Sequence, residues 1–409
     1  MAPPPPPSSH QSPPPAPSIA DIPDVLLEDI FLRLSAAADV ARASTACASF
    51  RRVIAGHAFL RLYRVLHPPP LIGVLQDPFI PAQQPHPSAT AARAFTGFDF
   101  SCSSFLPSTA GRSWSQVDFF HGRALLASEK SGAMGAEVCQ FFVRDLAVCD
   151  PVHRRYILLP AIPVPGDVKA LVRKPDVLSQ ETFLAPGEDG DPLSFKVMCL
   201  VKCRMNLLLL VFSSSSLDRK WHARTFDQWS VPAVFASFDN SEPGLSYFNR
   251  QCANGCFYWC LHFRSKLLVL DVRAMKFSVV DLPPDQDWTN EFAILETTQG
   301  TLGMLTKVYD KDSDDDPYWL AYSIMRNNQW HLEKIILLPV RRAAFIGVAG
   351  GYLLMEALYT TSMLEELKLG CLSVDVKTLQ VELFAKLSKP ILHGLLYAGF
   401  PPSLCAPTI

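Results

Sequence analysis

Gly255-Cys256-Phe257-Tyr258-Trp259, then Leu268-Val269-Leu270-Asp271, then Val279-Val280-Asp281-Leu282-Pro283: this stretch sets the reading of the chain. A glycine marks a turn, and three short runs of aliphatic, β-branched and aromatic residues follow it, separated by polar gaps. That is the composition of strands bounded by turns. The same order recurs. Gly122-Arg123-Ala124-Leu125-Leu126-Ala127 leads through Val148-Cys149-Asp150-Pro151 to Ile157-Leu158-Leu159-Pro160. Gly300-Thr301-Leu302-Gly303-Met304-Leu305 leads through residues 319–324 to Ile335-Ile336-Leu337-Leu338-Pro339, and Gly350-Gly351-Tyr352-Leu353-Leu354 leads through Leu372-Ser373-Val374-Asp375 to Val381-Glu382-Leu383-Phe384. A weaker copy runs from Phe195 to Trp229. Repeats of this kind are expected to fold as blades of a β-propeller, with residues 93–409 holding about six or seven blades at about 45 residues each. A large β-sandwich is the alternative.

Upstream, the period changes. Residues 1–19 are dominated by Pro, Ser and Ala and predict a disordered or polyproline leader. Over residues 20–66 the spacing is helical. Leu26, Leu27, Ile30, Phe31 and Leu34 share one helix face, Pro23 stands at a helix start, and Asp24, Glu28 and Asp29 suit the positive end of the helix dipole. A second helix is expected over about residues 37–47, with Val40, Ala43, Ser44 and Cys47 inward. A third carries Phe50, Val53 and Ile54, capped by Ser49 and stopped by Gly56. A unit this small buries too little surface to be robust alone, so it is expected to lean on a partner. Residues 67–92, with prolines at 68–70, 78, 81, 85 and 87, predict a linker. The fold class is therefore α+β and multidomain: a small three-helix unit followed by a mainly β domain.

Composition narrows the function. A net charge of −2 argues against nucleic-acid binding, which needs a basic face. No run approaches the ~20 apolar residues that span a bilayer, and the start lacks a signal peptide's features. Leu207–Phe212 is short and suits a buried strand. The 11 cysteines are then expected as small buried hydrophobes in the cytoplasm or nucleus.

The stretch Ile22-Pro23-Asp24-Val25-Leu26-Leu27-Glu28-Asp29-Ile30-Phe31-Leu32-Arg33-Leu34 resembles the opening of an F-box. Its continuation, Asp39-Val40-Ala41-Arg42-Ala43-Ser44 with Cys47-Ala48-Ser49-Phe50-Arg51-Arg52-Val53-Ile54, and the tail Phe59-Leu60-Arg61 extend the likeness. More loosely, His67-Pro68-Pro69-Pro70-Leu71-Ile72-Gly73-Val74, then Asp118 to Leu126 and Cys149-Asp150-Pro151-Val152, are similar to plant F-box proteins with an associated propeller-like domain. Ile22, Ser35 and Phe50 depart from the usual Leu, Pro and Trp. The resemblance implies a substrate-recognition subunit of an SCF-type ubiquitin ligase, without bond chemistry of its own. A Skp-type adaptor would join it to a cullin–RING core while the β domain captures a protein target. Pro23, Leu26, Leu27, Ile30 and Leu34 would lie at or beside the adaptor interface, supported by Val40 and Phe50. An F-box binding protein outside ubiquitination and a propeller enzyme are the alternatives.

Other constellations are weaker. Cys252, Cys256 and Cys260 near His262, and Cys199 with Cys203, lack the paired spacing of zinc sites. Asp310, Asp312, Asp314, Asp315 and Asp316 suggest a calcium loop, but the sixth and twelfth places hold Asp315 and Ala321 instead of Gly and Glu. A solvated hairpin loop is expected there, with contact to a basic target patch as the functional alternative. No catalytic or nucleotide motif appears, so no cofactor is expected. Ser213–Ser216 reads as a loop. His57, His121, His153, His222, His262 and His331 are scattered. Trp114, Trp221, Trp229, Trp288, Trp319 and Trp330 are expected to pack between blades, with a binding face as the alternative.

Overall fold

A computed structural model describes residues 22–107, 112–130, 145–162, 177–187, 193–203, 206–227, 250–261, 265–283, 291–297, 299–308, 318–338, 340–360, 367–391 and 394–400, with Leu404 and Ile409. The chain divides after His67 into a helical unit and a β unit.

The helical unit has four helices rather than three: α1 (Asp24–Leu32), α2 (Ala37–Ala46), α3 (Ala48–Ile54) and α4 (His57–Leu66). Pro23 opens α1, and its carbonyl accepts from the N–H groups of Leu26 and Leu27. Cys47, not Ser49, holds the extended cap position before α3. Gly56 does end α3, but its extended backbone lets α4 begin at the next residue. Leu27, Phe31, Val40, Ile54, Phe59 and Tyr63 form the unit's core. Phe31 meets Phe50 edge-on at 5.1 Å, and the His67 ring bonds the Leu32 carbonyl at 2.8 Å, tying the end of α4 to the end of α1.

The β unit is a six-bladed propeller. Blade I is β3 (Arg112–Phe120), β4 (Arg123–Lys130), β5 (Leu146–Asp150) and β6 (Arg155–Leu158). Blade II is β7 (Val177–Pro186), β8 (Phe195–Cys203), β9 (Asn206–Ser213) and β10 (Trp221–Asp227). Blade III is β11 (Gln251–Ala253), β12 (Cys256–Leu261), β13 (Lys266–Asp271) and β14 (Lys276–Asp281). Blade IV is β15 (Phe292–Glu296), β16 (Leu302–Val308), β17 (Tyr318–Arg326) and β18 (Gln329–Leu338). Blade V is β19 (Val340–Ala349), β20 (Tyr352–Tyr359), β21 (Lys368–Asp375) and β22 (Val381–Lys386). Each is an antiparallel meander whose first strand is innermost.

The repeats read from sequence are strands two to four of blades I to V, and the turns explain their landmarks. His121-Gly122, Asn254-Gly255 and Gly350-Gly351 join first to second strands, with both residues at positive φ as a type I′ hairpin requires. The recurrent aspartate closes the third turn. Asp271 Oδ1 accepts from the N–H groups of Arg273 and Ala274, Asp375 Oδ1 from Lys377 and Thr378, and Asp150 Oδ1 from His153.

Blade VI corrects the expected linker at 67–92. It is built from β1 (Leu71–Leu75), β2 (Ile80–Pro81) and β23 (Leu395–Ala398), in the order β2-β1-β23. Leu71, Ile72 and Val74 are fully buried, and helix α5 (Ala89–Ala92) buries Ala89 and Ala92. The prolines mislead because they flank the short apolar run or lie on the edge strand, where no ladder N–H is needed. Apolar layers fill the space between blades, for example Phe183, Met198 and Leu209 of blade II against Phe257, Leu268 and Leu270 of blade III.

A Cβ on Gly73 would lie 2.4 Å from the Ile80 carbonyl oxygen and 2.5 Å from the Phe79 ring. Gly73→Ala should destabilise the protein by about 1–3 kcal/mol, as overpacking does, read as a lowered urea midpoint; an unchanged midpoint contradicts the blade VI packing.

His86 is fully buried, edge-on to Tyr352 at 4.7 Å and Phe384 at 4.9 Å. Its Nδ1 accepts from the Ser88 N–H at 3.1 Å. Burial pushes its pKa down to about 4, against a smaller opposing pull from Asp375. As pH falls from about 6.5 toward 4 the unfolded chain takes up a proton that the folded one refuses, so stability drops by up to about 3 kcal/mol. His86→Asn keeps an acceptor without titrating; its urea midpoint should vary less between pH 7.5 and pH 5 than the parent's.

Candidate functional site: helix α1 and the inner rim of the propeller

Helix α1 has two apolar faces. Leu27 and Phe31, one turn apart, point inward and are 2% and 5% exposed. Leu26 and Ile30, also one turn apart, point outward and are 55% and 47% exposed, beside Val25 at 76%. Pro23 is exposed at the start of this face. Leu34 and Phe50 are half-buried, and Val40 is fully buried in the core of the helical unit. The structure therefore separates the seven residues singled out from sequence: Pro23, Leu26 and Ile30 present a surface, Leu34 is half-buried one turn beyond Ile30, Phe50 packs against the inward Phe31, and Leu27 and Val40 hold the helices together. Charge surrounds the apolar surface. Asp29 pairs with Arg33 at 2.8 Å, and Asp24 forms a two-pronged bond with Arg52 of α3 at 2.6 and 2.9 Å. Both pairs are exposed and fix orientation more than stability.

Sequence reasoning missed a second strip. Leu62, Val65 and Leu66 on α4 are exposed, opposite the buried Phe59 and Tyr63. The signal was the 62, 65, 66 spacing on a helix that the three-helix expectation omitted.

At the inner rim of the propeller, Arg250 stands just before β11. Its Nη2 lies 2.7 Å from Asp118 of β3, and its Nη1 bonds Glu181 of β7. The guanidinium sits over Phe183 at 4.4 Å and Phe257 at 5.4 Å. Trp259 Nε1 donates to Glu181 at 2.7 Å, and Asp118 accepts from the Leu184 N–H at 2.7 Å. Burial raises the Glu181 pKa, and Arg250 opposes that rise. The node joins blades I, II and III and holds its charges in mutual pairs, so it is a lock between blades. Arg250→Met leaves the buried Asp118 and the half-buried Glu181 without their cation and should cost about 3–5 kcal/mol in urea unfolding. Combining it with Asp118→Asn and Glu181→Gln should recover much of that loss; a triple variant weaker than the single one contradicts the lock.

The tryptophans divide. Trp114, Trp221 and Trp330 donate to the carbonyls of Pro107, Pro160 and Asp281, and Trp221 is buried. Trp319 is exposed. Trp229, Trp288, His262 and the Asp310–Asp316 run lie outside the described residues. His153 pairs with Asp150 at 2.7 Å and His222 with Asp218 at 3.3 Å, His121 stacks on Phe120, and His57 and His331 are exposed. Cys199 and Cys203 are buried, Cys256 and Cys260 half-buried, and Cys252 exposed. The Ser213–Ser216 segment forms the turn from β9 to β10, where the Ser214 hydroxyl accepts from the Phe195 N–H. Among the described residues no three His, Cys, Asp or Glu side chains are grouped to hold a metal ion, and no helix is long and apolar enough to cross a membrane.

No protein-family model and no curated protein matches the sequence. Among solved structures, an ulvan lyase of polysaccharide lyase family PL25 is similar at a TM-score of 0.32 and 9% identity, covering 68% of this chain and 70% of that one. Prolyl oligopeptidase B from Galerina marginata overlaps at a TM-score of 0.33 and 11% identity, over 73% of this chain and 41% of that one. A GH32 β-fructofuranosidase from Bombyx mori gives 0.32 and 8%, over 74% and 70%. Overlaps this loose assign neither activity nor substrate to this chain.

Proposed function

We propose that the chain is the substrate-recognition subunit of an SCF-type ubiquitin ligase, acting in the cytoplasm or nucleus. Its helical unit is an F-box that docks a Skp-type adaptor and, through it, a cullin–RING core. Its propeller captures a protein target. The observation that carries this reading is the outward face of α1: Leu26 and Ile30 stay about half exposed on the helix whose sequence resembles an F-box opening. A short helix with an uncovered aliphatic face can bury it in a partner's groove. The four-helix unit is also small enough to profit from that burial.

In this reading the chain breaks and forms no bonds. It raises the effective concentration of a target lysine near a charged ubiquitin-conjugating enzyme, which tethering does without new chemistry.

The test uses the full chain and a purified Skp-type adaptor. Leu26→Asp with Ile30→Asp should reduce adaptor binding by at least about 100-fold, since each buried aliphatic anchor contributes roughly 1.5–3 kcal/mol. Both side chains point away from the core of the helical unit, so the circular dichroism spectrum should stay that of the parent. Undiminished binding by the double variant, or none by the parent, rejects the F-box reading.

A further inference from the structure

Two buried cysteines meet where the propeller ring closes. The chain that leaves blade VI through α5 runs along the joint to blade I before it enters β3. Phe95, Phe98 and Phe100 of this connection pack with Leu71, Val74 and Tyr397 of blade VI. Cys102, Phe105 and Leu106 pack with Ala124 and Leu126 of β4 and with Ala147 and Cys149 of β5. Segment 98–107 is therefore a pad that touches both blades, and Cys102 is the residue that joins it to Cys149.

Cys102 is 5% exposed and Cys149 0%. The Cys149 thiol bonds the Cys102 sulfur, and the Cys102 thiol donates to the Phe100 carbonyl at 3.8 Å. The bond to Cys102, together with burial, raises the Cys149 pKa, so Cys149 keeps its proton and Cys102 is the sulfur that accepts. Cys199, equally buried, bonds Thr182 and Gln180 instead of a second thiol. Small apolar side chains would fill the places of Cys102 and Cys149 as well. Two thiols in bonding contact add the capacity to lose two electrons together.

The pad is the looser side of the contact. Cys149 lies in the third strand of its blade, paired with Ala124 on one side and Tyr156 on the other. The pad belongs to no strand among the described elements, and its backbone bonds at Phe98, Phe105 and Leu106 are local. Two side chains of blade I hold it down: Trp114 Nε1 donates to the Pro107 carbonyl at 3.2 Å, and Arg154 donates to the Ser104 hydroxyl at 2.7 Å. A segment of this kind opens locally at lower cost than a blade. A small oxidant then reaches Cys102 while the blades stay folded.

We propose that Cys102 and Cys149 are an oxidative modification site: hydrogen peroxide converts the two thiols to a disulfide that fixes the pad across the joint between blades VI and I. The Cys102 sulfur attacks one peroxide oxygen, and the O–O bond breaks. The released hydroxide takes the Cys102 proton and leaves as water, so Cys102 becomes a sulfenic acid. The Cys149 sulfur then attacks the Cys102 sulfur. The S–S bond forms, the S–O bond breaks, and the departing hydroxide leaves as water with the Cys149 proton. The two thiols lose two electrons, and one peroxide gains them and becomes two waters. A dithiol reductant reverses the link by exchange. The chemistry uses residues of the β unit alone and does not depend on the adaptor reading.

The test exposes the reduced full chain to hydrogen peroxide, alkylates the remaining thiols and maps a non-reducing proteolytic digest by mass spectrometry. The peptides holding Cys102 and Cys149 should appear joined, at their summed mass less two hydrogens, and dithiothreitol should separate them. Cys47, whose pKa is lowered by its bond with the Ser49 hydroxyl, reports that the oxidant acted. The oxidised chain should melt at least about 3 °C above the reduced chain, because the link restricts the unfolded chain, and dithiothreitol should remove the shift. Cys102→Ala and Cys149→Ala chains should show neither the joined peptides nor the shift. The digest is read on the unsubstituted chain, so it decides even where a variant fails to fold. Recovery of Cys102 and Cys149 as alkylated thiols after Cys47 is oxidised overturns the proposal. So does either cysteine joined to a different partner, or a joined pair that leaves the melting temperature unchanged or lower.

Discussion

Val74 and Leu75, near the start of the β unit, lie directly opposite Leu396 and Leu395, near its end, and this antiparallel pairing of β1 with β23 closes the ring. Every blade of a propeller buries apolar side chains against two neighbours, so an open joint would expose two blade faces at once. Here the joint is filled on both sides. Leu71, Ile72 and Val74 pack with Leu354 and Phe384 of blade V, while Tyr397 is surrounded by Phe95, Phe100 and Phe119 at ring separations of 5.4, 4.8 and 5.4 Å. The Gly350 turn of blade V is shaped for the same closure. At φ +58° it suits glycine, and a Cβ there would lie 2.7 Å from the Leu71 nitrogen.

Polar side chains then fix one blade to the next through the backbone. Asp118 accepts from Leu184 of β7, Gln251 bonds Ile294 and Phe292 of β15, and Glu291 accepts from Phe345 of β19. Lys307, buried beside Glu291, donates to the Ala343 carbonyl of the same strand. Gln83 accepts from the Lys386 N–H and ties blade V to the segment following β2. Apolar layers supply most of the driving force but little direction. The buried ones, Asp118 to Leu184 and Lys307 to Ala343, are costly to leave unmade, so they favour one angular arrangement of their blades.

The copies legible in the sequence are those whose turns have strict chemistry. Type I′ glycines and helical-turn aspartates recur in order, and the aliphatic runs between them are buried on both faces. The first strand of blade I is illegible by the same criterion: Arg112–Phe120 mixes charged, polar and aromatic residues and contains no aliphatic run. Blade VI escaped because its strands come from opposite ends of the β unit, so no local repeat contains them. At the helices, periodicity gave α1 its apolar residues but not their division. Leu26 and Leu27 are adjacent and chemically identical, yet one is exposed and the other is core. Only packing against α3 and α4 decides which.

The proposed receptor would use the exposed aliphatic face of α1, Leu26 and Ile30, for the ligase core. Hydrogen–deuterium exchange of the full chain, with and without a purified Skp-type adaptor, tests the central claim most directly. Exchange should slow over α1 and the adjoining 33–34 segment, with the blades unchanged. Exchange that the adaptor leaves unaltered throughout, or slows in the blades instead of α1, would contradict it.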